Sequence, residues 1–292
     1  APYDPTLTLG EADAKTVKKE RPRVVSRRNF IELCGQVTRE DEQAFMALWR
    51  RLGLSVDWRQ EYATIDDHCR HLAQSSFLDL HAKGHVYSLE APTMWDVDFQ
   101  TAVAQAEVED RPKKGAFHDI RFGVEGDPGR SFVISTTRPE LLPACVGVTA
   151  HPDDDRYRDL FGNNALTPLF SAPVPIFPSA LADPEKGTGI LMVCTFGDAT
   201  DVHWWREQGL ALRPIIGRDG RLVPLTFGEG HFASADPAAA NASYAELAGK
   251  RVAGARQRIV ELLAAGDDPP LVADPRPTEQ AVKHYEKGDL PL

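Results

Sequence analysis

Apolar residues recur at helical spacing in two places near the start of the chain. Phe45, Leu48, Trp49 and Leu52 form one stripe, and that period predicts a helix from Thr38 to Leu52. Thr38 with Asp41 three residues on reads as its cap, and Gly53 as its stop. Cys69, Leu72, Ser76 and Leu80 form a second stripe, predicting a helix from Asp66 to Lys83 that ends at Gly84. Residues 1–30, rich in proline and charge without a clear period, read as an extended lead-in.

The pattern changes after Val86. Short apolar runs broken by Gly and Pro follow: Arg121–Val124, Ser131–Thr136, Val146–Ala150, Val174–Phe177 and Ile190–Cys194. Many short strands between turn signals predict a compact, β-barrel-like domain with peripheral helices, an α+β chain with a small helical segment in front. Helical spacing returns once, from Tyr244 to Ala265, with Val252, Ala255, Ile259, Leu262 and Leu263 on one face. The Gly-, Ala- and Asn-rich stretch Phe227–Ala242 before it reads as a mobile loop.

Composition narrows the function classes. The chain has 292 residues, enough for one large domain and an appendage. No apolar run approaches the ~18 residues of a membrane span, and Ala1-Pro2-Tyr3-Asp4-Pro5 is not a signal peptide. The absent initiator Met points to a trimmed chain or a fragment. Cys34, Cys69, Cys145 and Cys194 form no paired motif, which suits a reducing, cytoplasmic setting. A net charge of −10 disfavours a long grip on nucleic-acid backbone. Local basic clusters nonetheless occur at Lys15, Lys18, Lys19, Arg21 and Arg23, at Arg27 and Arg28, and at Arg111, Lys113 and Lys114. Each is read first as solvated surface.

Two stretches carry the chemistry. In Ile134-Ser135-Thr136-Thr137-Arg138-Pro139-Glu140 a strand must stop at the proline, leaving two hydroxyls and a guanidinium at its mouth. On pattern alone this is a surface turn, with an Arg138–Glu140 pair as a structural role. In Lys186 to Trp205, a Gly187-Thr188-Gly189 turn enters an apolar strand, and Thr195-Phe196-Gly197 leads to Asp198-Ala199-Thr200-Asp201. Asp198 as a helix cap and Asp201 in the first turn explain the aspartates without any catalysis. The turn lacks the spacing and lysine of a P-loop.

Together the two stretches are more specific. Ser-Thr-Thr-Arg-Pro-Glu, then Ala150-His151-Pro152-Asp153-Asp154, then Gly-Thr-Gly with Asp-x-x-Asp, resemble the editing insertion shared by valyl-, isoleucyl- and leucyl-tRNA synthetases of class I. Phe99-Gln100-Thr101-Ala102-Val103 and Glu286-Lys287-Gly288-Asp289 resemble the two ribbons that join it to the synthetase body, and Gly53-Leu54-Ser55-Val56-Asp57-Trp58 the stretch before it. Thr-Thr-Arg-Pro-Glu is similar to the valyl branch; the isoleucyl branch typically has Thr-Pro-Trp and the leucyl branch Arg-Pro-Asp. The resemblance divides the chain into a flanking segment, 1–93, and an editing domain with its ribbons, 94–289, whose core is about 115–275.

It implies post-transfer editing: hydrolysis of threonine mischarged onto tRNA(Val), and of threonyl-adenylate. The partners implied are the tRNA(Val) 3′ end carrying threonine and the rest of the synthetase, with no membrane and no cofactor. By resemblance, Asp201 anchors the substrate ammonium and Asp198 reads the threonine hydroxyl or orders a water. Thr136 and Thr137 act as hydroxyl partners of that water; Arg138, Gly187, Thr188, Gly189 and Phe196 line the substrate, with Arg138 on the terminal phosphate or bracing the site. Thr195-Phe196-Gly197 replaces the commoner Pro-Ala-His, and Met192 a lysine seen in some valyl enzymes, so no role rests on those. Asp96 and Phe99 occupy the cysteine positions of the family's zinc knuckle, which implies no zinc; His68, Cys69, His71, His81 and His85 read as helix-surface residues rather than ligands. Neither His-x-Gly-His nor Lys-Met-Ser-Lys-Ser occurs, so the ligase site lies outside this chain. A free-standing deacylase and an inactive module that positions the tRNA end remain open.

Overall fold

The computed structural model describes residues 1–8, 23–88 and 91–292. Lys15, Lys18, Lys19 and Arg21, and the middle of the expected lead-in, fall outside them. Two compact units divide the chain, Ala1–Ser88 and Leu89–Leu292.

The first unit holds helices α1 (Arg27–Arg51) and α2 (Asp67–Ala82). Helix α1 starts eleven residues before Thr38 because Ser26 supplies the cap, its hydroxyl accepting from the Asn29 amide at 3.1 Å. Thr38 sits mid-helix and donates to the Cys34 carbonyl at 2.9 Å, so its hydroxyl never competes for the helix start. Asn29, the buried residue of α1, accepts from the Asp4 amide at 2.9 Å and ties the first residues down. Helix α2 follows the sequence closely: Asp66 caps it by accepting from Cys69 N at 2.6 Å, and Gly84 ends it at φ +76°. Large apolar residues of the stripes that predicted both helices stay exposed within this unit, Phe45 at 55% and Leu72 at 51%.

The second unit is built on sheet. Strands β1 (Trp95–Asp96) and β2 (Thr101–Ala102) form a small antiparallel knuckle. Strand β3 (Val108–Val124) is long enough to serve two partners. Its first half pairs with β9 (Arg276–Tyr285), and its second half pairs with β4 (Asp127–Thr136), beginning at His118 opposite Thr136. Strands β6 (Asn164–Leu166), β7 (Pro173–Pro178), β5 (Cys145–Ala150) and β8 (Ile190–Cys194) continue the sheet in the order β4-β3-β6-β7-β5-β8. Alternation places Ile120, Phe122 and Val124 of β3, with Phe132 and Ile134 of β4, in the main core. Strand β5 is buried throughout because it separates two cores; Val146 faces the smaller one with Phe177, Val193 and Trp204.

Among the described residues the sheet does not close into a barrel. Its ends, β4 and β8, approach each other, but the Ser135 amide meets the Thr188 hydroxyl at 3.3 Å instead of a strand backbone. Gly187 and Gly189, at φ +63° and +81°, turn the chain where a ladder would have to form.

The late helical region also differs from the sequence reading. It is two helices, α4 (Pro237–Ala245) and α5 (Val252–Leu263), preceded by α3 (Ala199–Gln208). Gly249 adopts φ +76° between α4 and α5, and its amide donates to the Leu222 carbonyl at 2.8 Å, an alternative partner that stops a continuous helix. The stretch expected to be a mobile loop is ordered. Asn241 accepts from Phe227 N at 2.7 Å and donates to Phe227 O at 3.1 Å, while buried Phe227 stacks on Phe170 at 5.1 Å. No helix among the described residues is long and apolar enough to cross a membrane.

Candidate functional site

At the end of β4, Pro139 halts the ladder and opens a short, fully buried 3-10 turn, Pro139–Ala144. Thr136, Thr137 and Arg138 are therefore left half-buried at the strand mouth. The Thr136 hydroxyl accepts from the Arg138 amide at 3.1 Å, which holds the turn. On the neighbouring strand His118 places Nδ1 3.3 Å from the Thr136 carbonyl, so that nitrogen carries the proton. Burial holds the His118 imidazole below its ordinary pKa, and the nearby Arg256 guanidinium pushes the same way.

Glu140 is completely buried. Two guanidinium contacts from Arg256 on α5, at 2.8 and 2.6 Å, satisfy its carboxylate, and Arg138 Nε lies 3.4 Å from Oε1. The sequence reading saw the short-range Arg138–Glu140 pair. It missed Arg256, the stronger partner, because no local signal links residues so far apart in the chain.

The second stretch enters from the other side. Gly187 packs so closely on Ser135 that an added Cβ would lie 2.9 Å from the Ser135 Cβ. The Thr188 carbonyl accepts from Tyr157 OH at 2.6 Å. The Gly-Thr-Gly turn is thus tied to Ser135 and Tyr157, and the Thr188 hydroxyl is spent on backbone. Beyond β8, Phe196 takes the left-handed conformation at φ +55° and stands edge-on to Trp205 at 5.2 Å. Gly197 follows, its carbonyl accepting from Arg138 Nη1 at 2.7 Å. That bond joins the two sequence stretches.

Helix α3 then begins with a reciprocal cap. Asp198, exposed, accepts from Thr200 N at 2.7 Å and Asp201 N at 3.0 Å. Asp201, buried, accepts from Asp198 N at 3.0 Å and from Cys194 N of β8 at 3.3 Å. Burial pushes the Asp201 carboxyl up to about 7, and the Asp198 charge adds to the rise; the two amides and Arg138 oppose it. Only the ionised form of this carboxyl can pair with a cation, and the two amides and Arg138 favour that form. Arg138 thus links the turn that carries Thr136 and Thr137 to Gly197, which lies between Phe196 and the Asp198–Asp201 cap; Gly187 and Thr188 lie against Ser135, whereas Gly189 packs beside Asp154 and Arg156.

An open cavity of about 300 Å³ is lined in part by Thr188, Arg130, Arg156 and Tyr157. Asp159 and Asp154 neutralise its two guanidinia. At the knuckle Phe99 offers no metal ligand and Asp96 Oδ1 accepts from the Phe99 amide at 2.7 Å; no trio of metal-binding side chains gathers among the described residues.

A family model described as tRNA synthetases class I (I, L, M and V) matches residues 8–280. The chain belongs to this family. It is similar to the valine–tRNA ligases of Salinispora arenicola, 52% identical over the whole of this chain and 32% of that protein, and of Thermobifida fusca, 55% identical with the same shares. The valine–tRNA ligase of Leifsonia xyli is 50% identical over the whole chain and 33% of its own length. This class I synthetase chain thus spans about a third of the length of the curated relatives it matches. A solved structure of a ternary Agrobacterium radiobacter K84 agnB2 LeuRS–tRNA–LeuAMS complex aligns with TM-score 0.37 and 16% identity, covering 85% of this chain and 36% of its own.

Proposed function

We propose that this chain is the editing portion of a valine–tRNA ligase and hydrolyses threonine from mischarged tRNA(Val), with threonyl-adenylate as a second substrate. The observation that carries the reading is the buried Asp201 carboxylate, fixed by two amides at a helix start that Arg138 ties, through Gly197, to the turn bearing the half-buried Thr136 and Thr137. An aminoacyl ester carries a free ammonium, for which a desolvated carboxylate is the strongest available partner. In this reading Asp201 holds that ammonium. Asp198, already a cap, presents a second carboxylate oxygen to the threonine hydroxyl or to a water. Such a preference solves a problem that a valine-shaped synthetic pocket cannot, since an isostere with an added hydroxyl is poorly excluded by size; valyl-tRNA synthetase is the standard illustration of this limit.

No activated protein nucleophile is required, because the ester is already reactive. Thr136 and Thr137 would orient a water toward the carbonyl, lowering the barrier by placement and polarisation. Similarity to valine–tRNA ligases and the class I family membership support the assignment.

The test is deacylation of threonyl-tRNA(Val) and valyl-tRNA(Val) by the full-length synthetase and by its Asp201→Ala variant. Loss of threonyl-tRNA hydrolysis in a folded variant is expected. Equal hydrolysis of both esters, or an unaffected variant, would overturn the reading; binding of tRNA without hydrolysis would identify a positioning module.

A further inference from the structure

Strands β5 and β8 bring two of the four cysteines face to face. Cys145 stands opposite Cys194 in their antiparallel ladder, and both are free thiols. Both side chains enter the main core, whereas Val146 and Val193 beside them enter the smaller one. The Thr195 amide donates to the Ala144 carbonyl at 3.0 Å, so the ladder closes one step beyond the pair. The backbone of the pair itself is turned outward. The Cys194 amide donates to Asp201 at 3.3 Å, and the Cys145 carbonyl accepts from Arg213 Nη1 at 2.6 Å. Opposed residues of this non-hydrogen-bonded kind hold their Cα atoms about 4.5 Å apart, with side chains on one face. That spacing lies within the roughly 4.4–6.8 Å that a disulfide spans.

We propose that Cys145 and Cys194 form a dithiol oxidation site that hydrogen peroxide closes to a disulfide, and that closing it loosens the grip on Asp201. The consequence for hydrolysis rests on the editing reading above. One thiol, as its thiolate, attacks a peroxide oxygen; the O–O bond breaks, leaving a sulfenic acid and one water. The second thiol attacks that sulfur, the S–S bond forms, and the sulfenic oxygen leaves as a second water with the remaining proton. Two thiols are oxidised and one peroxide is reduced to two waters. The Cys145 thiol alongside and burial push the Cys194 thiol well up, so thiolate is scarce at neutral pH. Access comes through β8, which ends the sheet and opens by parting from β5 alone. Closing is therefore slow, and paced by that opening.

The movement on closing has a direction. At present the thiols point apart, Cys145 toward the Gly147 carbonyl at 3.4 Å and Cys194 toward the Leu141 carbonyl at 3.6 Å. Cys145 is anchored, because buried Arg213 holds its carbonyl and also donates Nε to the His231 carbonyl at 2.6 Å. Cys194, the last residue of β8, is the partner drawn across. Its amide faces Asp201 on the side away from β5, so the shift lengthens that bond. It is already the longer of the two amide bonds to this carboxylate, 3.3 Å against 3.0 Å from Asp198.

The full-length synthetase and its Cys145→Ala variant are treated with hydrogen peroxide, then digested without reduction and mapped by mass spectrometry. Deacylation of threonyl-tRNA(Val) is measured before treatment, after it, and after dithiothreitol. A peptide pair joined through Cys145 and Cys194 is expected in the wild type. Hydrolysis should slow by roughly tenfold, the scale of one lost charge-assisted hydrogen bond, and recover on reduction. Cys145→Ala should hold its own starting rate through the treatment; Cys145→Ser replaces it if it does not fold. Cys145 and Cys194 left unlinked would overturn the site. A linked pair with unchanged hydrolysis, or an equal loss in the variant, would overturn its coupling to Asp201. Should the untreated wild type not deacylate at all, the editing reading fails while the peptide map still decides the oxidation site.

Discussion

The Asp201 carboxylate accepts from the Asp198 amide at 3.0 Å, and the Asp198 carboxylate accepts from the Asp201 amide at 3.0 Å. Each aspartate thus satisfies a backbone donor that the other would leave unpaired at a helix start. The pair differs in environment: Asp198 is exposed and Asp201 buried. Capping and substrate binding are therefore not competing accounts of the motif, since the cap is what fixes the buried carboxylate in place.

This separation yields a first expectation. Asp198→Ala should cost ~1 kcal/mol of stability through the lost cap, whereas Asp198→Asn should cost little because asparagine caps equally well. Asp201→Ala should slow threonyl-tRNA hydrolysis by roughly 10- to 100-fold, the equivalent of about 1.5–3 kcal/mol for a charged hydrogen bond. Denaturant unfolding beside deacylation rates distinguishes the two effects.

The Glu140–Arg256 pair predicts a large structural effect. Arg256→Ala leaves a fully buried carboxylate facing only the longer Arg138 contact at 3.4 Å. Breaking a buried pair from one side typically costs ~3–5 kcal/mol, and because Arg256 keeps some solvent contact the lower end is expected. Urea midpoints of Arg256→Ala and of the double variant Glu140→Gln/Arg256→Met check it: the double variant should be less destabilised than the single.

His118 predicts a pH dependence of stability. Its folded-state pKa lies below the ordinary value of 6.5 because of burial. The unfolded chain then binds the proton more readily, so the contribution is present above about 6.5 and is lost as pH falls through the folded-state value. Thermal melts between pH 8 and pH 5 should show a decline that His118→Gln reduces; an identical decline in that variant would remove His118 as the cause.

The two units should behave differently when separated. Leu89–Leu292 encloses the main core, which runs from Ile120 to Leu263, and should unfold cooperatively by itself. Ala1–Ser88 leaves Phe45, Leu48, Trp49, Leu72 and Phe77 exposed, and helices with uncovered apolar faces are marginal in water. Circular dichroism of the isolated first unit should show low, non-cooperative helicity, with light scattering rising with concentration.

Local interactions were legible in the sequence. The ends of α2 at Asp66 and Gly84, the halt of β4 at Pro139 and the start of α3 at Asp198 each depend on residues within a few positions: a side chain that caps, a missing amide, a left-handed turn. The short apolar runs in β3, β4 and β8, broken off by Gly and Pro, likewise announced strands. Helix α1 was shortened in the reading because Thr38 resembled a cap, and only the geometry shows its hydroxyl turned back onto Cys34. The split between α4 and α5 needed Leu222 as an outside partner for the Gly249 amide.

What the sequence determined by itself was therefore the set of elements whose causes are local, and the two stretches that bear the candidate site residues. The tertiary structure decided how those stretches meet. The Arg138 bond to Gly197, the Arg256 grip on Glu140 and the burial that lifts Asp201 to about 7 all join residues from different elements. Such contacts leave no period or spacing in the chain, because a side chain's partner across a core is set by strand order and packing. The open ends of the sheet arose the same way, where the Gly-Thr-Gly turn met Ser135 through a hydroxyl in place of a strand.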